Sequence, residues 1–128
     1  NLMSQYEDKA EFIKLPAPKL VEYIESGELD SKEEIAYLEE ILAPYKDGKV
    51  DAVVLGCTHF PFARKTIQKI LGEDVLVFDG GLGAARQCRR VLEGKNLLNG
   101  KEEGGTVVFE NSIPEKTEIA KKLFYYKG

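Results

Sequence analysis

Cys57 and His59, a thiol and the chain's only imidazole, lie two residues apart in the stretch Val53-Val54-Leu55-Gly56-Cys57-Thr58-His59-Phe60-Pro61. A thiolate is a nucleophile and a proton acceptor, and imidazole is the side chain suited to moving protons near neutral pH. The pair therefore suits covalent catalysis or proton transfer. Asp51 to Leu55 reads as a buried parallel strand, rich in β-branched residues and without the alternation of a half-exposed one. Pro61 fits the first turn of a following helix, where its missing N–H costs nothing. Cys57, Thr58 and His59 are thus expected on a strand-to-helix loop, at the end of the sheet where open α/β folds bind ligands. A helix N-terminus and a neighbouring imidazole both stabilise a thiolate there. The plainer alternative, a structural cysteine with His59 as a surface residue, stays open from local sequence.

Other candidate chemistry is weaker. Cys88 falls on an apolar stripe with Ala85 and Val91 and is expected in the core. Asp79-Gly80-Gly81-Leu82-Gly83 follows a strand pattern and opens a helix, yet it has neither the dinucleotide fingerprint nor a Gly-Lys-Ser/Thr. A tight turn is the better reading. One histidine and one nearby cysteine do not supply the three or four ligands of a metal site, so no metal is expected. A Cys–His hydrolase has the residue types, but its nucleophile and base ordinarily come from separate segments so that the imidazole can face the thiol.

The elements that would position these residues alternate. Glu11 to Leu15 reads as a short strand stopped by Pro16 and Pro18, and Lys19 to Ser26 as a helix with Leu20, Val21 and Ile24 inward and Gly27 as its stop. Ser31 and Glu34 form a capping box for a helix whose stripe is Ile35, Leu38, Ile41 and Leu42, ending near Pro44 before an Asp47-Gly48 turn. A strand over Val50 to Leu55, a helix over Pro61 to Leu71 burying Ile67, Ile70 and Leu71, and a buried strand over Val75 to Phe78 follow. A helix with Ala85, Cys88, Val91 and Leu92 inward comes next, then a polar surface loop from Glu93 to Gly105. Thr106 to Phe109 reads as a last strand, and Ser112 with Glu115 caps a final helix lined by Ile119, Ala120, Leu123 and Phe124. This order predicts an α/β fold, with parallel sheet strands covered by helices.

The chain's 128 residues, 43% hydrophobic and 31% charged, suffice for one globular domain. A net charge of −4 without a dense basic patch argues against nucleic acid. No apolar run is long enough to span a membrane, and no signal peptide is apparent. Two cysteines far apart suggest a reducing cytoplasm, not a disulfide framework. The runs Glu28 to Glu34 and Lys101-Glu102-Glu103 read as solvated surface, and Tyr125-Tyr126 as partial packing. With Met3 inside it, the chain reads as a piece of something longer.

At Leu55-Gly56-Cys57-Thr58-His59-Phe60-Pro61 the sequence resembles the second catalytic-cysteine motif of glutamate racemases, within the aspartate/glutamate racemase superfamily. Pro18 through Ile24-Glu25-Ser26-Gly27 resembles that family's Pro…Val-Glu-x-Gly segment. Val77-Phe78-Asp79 with the helix through Leu92, and Thr106 to Phe124, resemble its closing segments. His59 stands where aspartate racemases tend to carry glutamate. The chain departs from the family pattern at Glu22, Phe60 and Gly80-Gly81. It also lacks the family's early Asp-Ser motif, its Tyr-Gly segment, and its first catalytic cysteine with Asn-Thr neighbours, for which Cys88 cannot stand in.

The resemblance implies cofactor-independent interconversion of L- and D-glutamate in the cytoplasm, feeding peptidoglycan and so the cell wall and cell shape. Two cysteines would work on opposite faces of the substrate. Cys57 would be the acid/base for the L-enantiomer, His59 would assist its proton traffic, Thr58 would help hold substrate, and Glu25 would support the charge balance. Glu25 reads equally well as a solvent-facing carboxylate near a helix end. On the family's two-domain map, residues 1–79 are the later part of the middle α/β domain and 80–128 return to the first. The chain would supply only the second cysteine and be inactive alone. Its partners would be glutamate and either the missing N-terminal half or a second copy in a homodimer. The alternatives are a catalytically silent α/β module with a structural or redox-sensitive Cys57, and a racemase or isomerase of another acidic substrate.

Overall fold

Pro18 sets the first helical turn of α1 (Pro18–Ser26), and Leu20 and Ile24, four residues apart, bury its inner face with Val21 half-buried beside them. The helix ends because Gly27 turns left-handed at φ +81°, where its N–H bonds the Ile24 carbonyl and the Glu28 N–H the Tyr23 carbonyl. Helix α2 (Lys32–Leu42) starts on Ser31, whose Oγ accepts the Glu34 N–H at 3.1 Å. The capping box is only half reciprocal. The Ser31 N–H goes to the Glu28 carbonyl, and the Glu34 carboxylate accepts the Asp30 N–H at 2.6 Å instead. A 3-10 turn, Ala43–Tyr45, and the positive φ values of Asp47 and Gly48 then reverse the chain.

This computed structural model describes residues 3–101 and 104–126. Strand β1 (Ala52–Leu55), helix α3 (Arg64–Leu71) and strand β2 (Leu76–Asp79) form a parallel β-α-β unit, with Val53 opposite Val77 and Leu55 opposite Asp79. Helix α4 (Gly81–Gly94) leaves β2 directly, and α5 (Thr117–Tyr125) follows a 3-10 turn, Pro114–Lys116. The core draws Ala17, Leu20 and Ile24 from α1 and its approach, Leu38 and Leu42 from α2, Ala63, Ile67 and Leu71 from α3 and the turn before it, and Leu55, Val75 and Val77 from the strands and their flanks. Burying Leu20, Ile24 or Leu38 is worth roughly 1.5–3 kcal/mol each.

Several expectations are corrected. The strands are not buried on both sides: helices cover the face of Leu55 and Val77, while the register partners Val54 and Phe78 stand 74% and 51% exposed on the other. Residues 11–15 and 106–109 are irregular and largely exposed, because no strand edge among the described residues pairs with them. Helix α4 buries no side chain, so Ala85, Val91 and Cys88 are exposed and Leu92 only half-buried. Its stripe meets no covering apolar surface among the described residues. Ser112 caps nothing; the turn at Pro114–Lys116 intervenes before α5, where Phe124 is exposed. Glu102 and Glu103, with Asn1, lie outside the described residues.

Glu34 is the one fully buried charged side chain among the described residues, at 0% exposure, and its Oε1 has no hydrogen-bond partner. Desolvation pushes its carboxyl above the ordinary value, opposed by the Asp30 N–H and reinforced by the Asp30 carboxylate. Such a group binds protons more readily folded than unfolded. Its contribution to stability is complete below the ordinary carboxylate range and is lost as pH rises through its folded value. Glu34→Gln cannot ionise, so its urea midpoint should fall less than that of the wild type between that range and neutral pH. Parallel pH dependence in the two proteins would rule out a charged, buried Glu34 as the cause. Leu38→Ala, in the centre of the same layer, should cost about 2–5 kcal/mol in the same titration.

Candidate active site

Strand β1 ends at Leu55, and Gly56 to His59 form a loop above its carboxyl end. The Cys57 carbonyl accepts the Phe60 N–H and the His59 carbonyl the Phe62 N–H, at 3.2 and 3.0 Å, so the chain enters a 3-10 turn, Phe60–Ala63, with Pro61 in its first positions. The α-helix itself begins only at Arg64, later than the expected start at Pro61. The helix N-terminus is therefore a full turn from Cys57, and the close polar partner of the thiol is the imidazole.

That partnership is observed directly. Cys57 Sγ lies 3.8 Å and Thr58 Oγ1 3.5 Å from His59 Nδ1. The other ring nitrogen, Nε2, is 3.2 Å from Glu25 Oε1, which α1 presents from its last turn. An ionised carboxylate only accepts, so in a neutral imidazole the Nε2 proton points to Glu25. Nδ1 is then the bare nitrogen, turned toward the Cys57 thiol and the Thr58 hydroxyl. The relay of Glu25, His59 and Cys57 can take a proton from sulfur and return it. All four residues singled out from sequence thus meet at one place; Glu25 is exposed near the end of α1, as its solvent-facing reading has it, and both its oxygens are nonetheless engaged.

Two residues of the site carried no sequence signal. Lys116 Nζ bonds Glu25 Oε2 at 2.9 Å, across 91 residues of sequence. Hydrogen bonding and charge from Lys116 come first, with His59 adding to them, and together they hold the Glu25 carboxyl below its ordinary value against partial desolvation. Asn111 joins Glu25, His59, Lys116, Ile119, Ala120 and Leu123 in lining a cleft of about 160 Å³. One lysine among many, far along the chain, is visible as a partner only after α5 folds back.

The Asp79 turn does not form an anion site. The Asp79 carboxylate itself accepts the Gly81 N–H at 2.8 Å and bonds Arg64 Nη2 at 2.6 Å, while Arg64 Nη1 donates to the Val77 carbonyl at 2.7 Å. Arg64 first and the Gly81 N–H second keep Asp79 below its ordinary value. Among the described residues no group of three or more His, Cys, Asp and Glu side chains could hold a metal, and no helix is long and apolar enough to cross a membrane.

The chain is 42% identical over 125 residues to the glutamate racemase of Clostridium botulinum, covering 96% of this chain and 48% of that protein. It is 41% identical over 129 residues to that of Clostridium perfringens, covering 99% and 50%. The chain spans about half the length of the curated relatives it matches, and the match is to their C-terminal half. Among solved structures it is similar to glutamate racemase of Thermus thermophilus in complex with β-chloro-D-alanine, with TM-score 0.67 and 28% identity over 83% of this chain and 41% of that one. Glutamate racemase of Francisella tularensis in complex with D-glutamate gives TM-score 0.64 and 26% identity, covering 84% and 40%. No family model matches the chain.

Cys57 Sγ lies 3.8 Å from an imidazole nitrogen, whereas Cys88 is merely exposed. Iodoacetamide at neutral pH should therefore modify Cys57 faster than Cys88, and His59→Ala should remove the difference. Peptide mapping by mass spectrometry reads both rates in one sample. Equal rates in the wild type would mean that Nδ1 does not act on the thiol.

Proposed function

We propose that this chain, a relative of glutamate racemases that matches their C-terminal half over nearly its whole length, supplies one side of a two-sided site that interconverts L- and D-glutamate without a cofactor. The observation that carries this reading is the Glu25–His59–Cys57 relay at the carboxyl end of β1. His59 Nδ1 takes the Cys57 proton, and the resulting thiolate removes the α-proton of L-glutamate: the C–H bond breaks and an S–H bond forms. A second thiol on the far face gives its proton to the α-carbon and is left as thiolate. The reverse sequence converts D- to L-glutamate. Thr58, exposed beside Cys57, offers a hydroxyl to the substrate.

The far-face thiol is assigned to polypeptide outside this sequence, because Cys88 lies exposed on α4 and no hydrogen bond of the described residues links it to the relay. The outward sheet face of Val54, Leu76 and Phe78 is apolar enough to pack against such a partner. We assign residues 1–79 to the domain that carries Cys57 and residues 80–128 to a segment returning to the other domain. The lack of buried side chains in α4 supports that division. The D-glutamate formed would serve peptidoglycan synthesis in the cytoplasm.

Loss of deuterium from α-deuterated glutamate, followed by NMR, tests the reading. The chain alone should give none. Combined with the complementary half of a glutamate racemase it should exchange, and Cys57→Ser should lower that rate by about 10²-fold or more. Robust exchange by the chain alone would sink the two-sided site. Equal exchange of α-deuterated aspartate would sink the assignment to glutamate.

A further inference from the structure

We propose that Lys116 is a positioning residue: it holds the Glu25 carboxylate against His59, and so fixes the imidazole with Nε2–H toward Glu25 and Nδ1 toward Cys57. The inference deepens the relay reading and rests on it for its catalytic meaning.

Glu25 needs such a partner. It sits in the last turn of α1, where the negative end of the helix dipole repels a carboxylate. Its side chain is also long and exposed, and holding it in one rotamer costs conformational entropy. A neutral imidazole at 3.2 Å is a weak tether for it. Lys116 at 2.9 Å takes the other oxygen through an ammonium donor, so of the two contacts it is the stronger.

Lys116 is itself well placed to hold. It closes the 3-10 turn Pro114–Lys116, with its N–H on the Ile113 carbonyl at 2.9 Å, and the Ile113 N–H is bound in turn by Asn111 Oδ1 at 2.9 Å. On its other side α5 is pinned to the end of α1 by Lys122 Nζ on the Gly27 carbonyl and Tyr126 OH on Asp30 Oδ2, each at 2.8 Å. The ammonium is thus delivered from a docked element, not a free strand of chain. An exposed ion pair of this kind adds little to stability. Geometry, not stability, is what it contributes. The lowered titration of Glu25, for which Lys116 is the first cause, agrees with a carboxylate that stays charged and in place.

The titratable groups that face His59 are Glu25 from α1 and Cys57 from its own loop, with Lys116 reaching it through Glu25. Because His59 is the chain's only histidine, its ring signals in 15N-edited NMR belong to one site. A hydrogen-bonded Nε2–H should appear as a protected proton in the wild type. It should be lost in Lys116→Met and in Glu25→Gln, and restored by Lys116→Arg. The pH profile of Cys57 alkylation should move in the same direction in both loss variants, and adding Lys116→Met to Glu25→Gln should change nothing further. Lys116→Gln, near in length but uncharged, provides a second loss variant should the methionine disturb α5 as judged by circular dichroism.

A protected Nε2–H that survives both lysine variants overturns the proposal. So does a Lys116→Met effect that persists undiminished without the Glu25 charge. A lost Nε2–H with an unmoved alkylation profile would uphold the hold of Lys116 on His59 and count instead against the relay to Cys57. Neither readout requires turnover, so failure of the racemase assignment and failure of this inference are separable.

Discussion

The turn from Glu25 to Asp30 is the constraint on which the placement of the other parts depends. It holds the left-handed Gly27 and, at φ +59°, the left-handed Asp30. A Cβ on Gly27 would come within 3.1 Å of Ile119 Cδ1 and 3.3 Å of Lys122 Nζ, so α5 lies close against the end of α1 at this left-handed glycine. The turn's polar groups then spread to three elements. Glu25 meets the Cys57 loop, the Gly27 carbonyl meets α5, and Asp30 takes Thr66 Oγ1 of α3 at 2.9 Å and Tyr126 OH beyond α5. Tyr126, desolvated and bonded to a carboxylate, is pushed up to about 12 and so stays a hydrogen-bond donor across the physiological range.

Glu34 shows what it takes to keep that turn in place. Its carboxylate lies in the layer of Leu38 and Leu42, and a leucine there would avoid the desolvation cost. A leucine would also leave the Asp30 N–H without its acceptor at a residue already held in a left-handed conformation. The buried carboxyl group, by accepting the Asp30 N–H, holds a backbone geometry that a side chain other than glycine adopts only under constraint. The same geometry sets where Asp30 aims its two oxygens, and through them how α3 and the end of the chain are joined.

From this hub the site follows in sequence. Parallel pairing of β1 and β2 brings Leu55 level with Asp79, so two loops leave the same end of the sheet. Arg64 straps the second of these by gripping Asp79 and the Val77 carbonyl, which leaves the first, with Cys57 and His59, facing α1. The imidazole is then held by two adjacent residues on one ring nitrogen and by a carboxylate from a remote helix on the other. The thiol and the imidazole, only two residues apart, come within 3.8 Å of each other just before the chain enters the 3-10 turn Phe60–Ala63.

The sequence by itself determined the local rules: α1 between Pro18 and Gly27, α2 from the Ser31 cap, the parallel β-α-β unit, and the Gly-Cys-Thr-His loop at a strand end. These are written in nearest-neighbour stereochemistry and in short-period apolar patterns, which a linear reading detects. Even Glu25 was visible, through its segment's likeness to a known motif. Only the tertiary structure decided which faces are covered. Thr106 to Phe109 has strand composition without a strand partner, and the stripe of α4 has helical periodicity without a surface to bury it. It also decided the long-range polar contacts: that Glu34 is core, not only cap, and that Lys116 completes the Glu25–His59–Cys57 line. Burial and pairing depend on where distant segments come to rest, and the left-handed turn at Gly27 sets that in space without leaving a pattern at the residues it brings together.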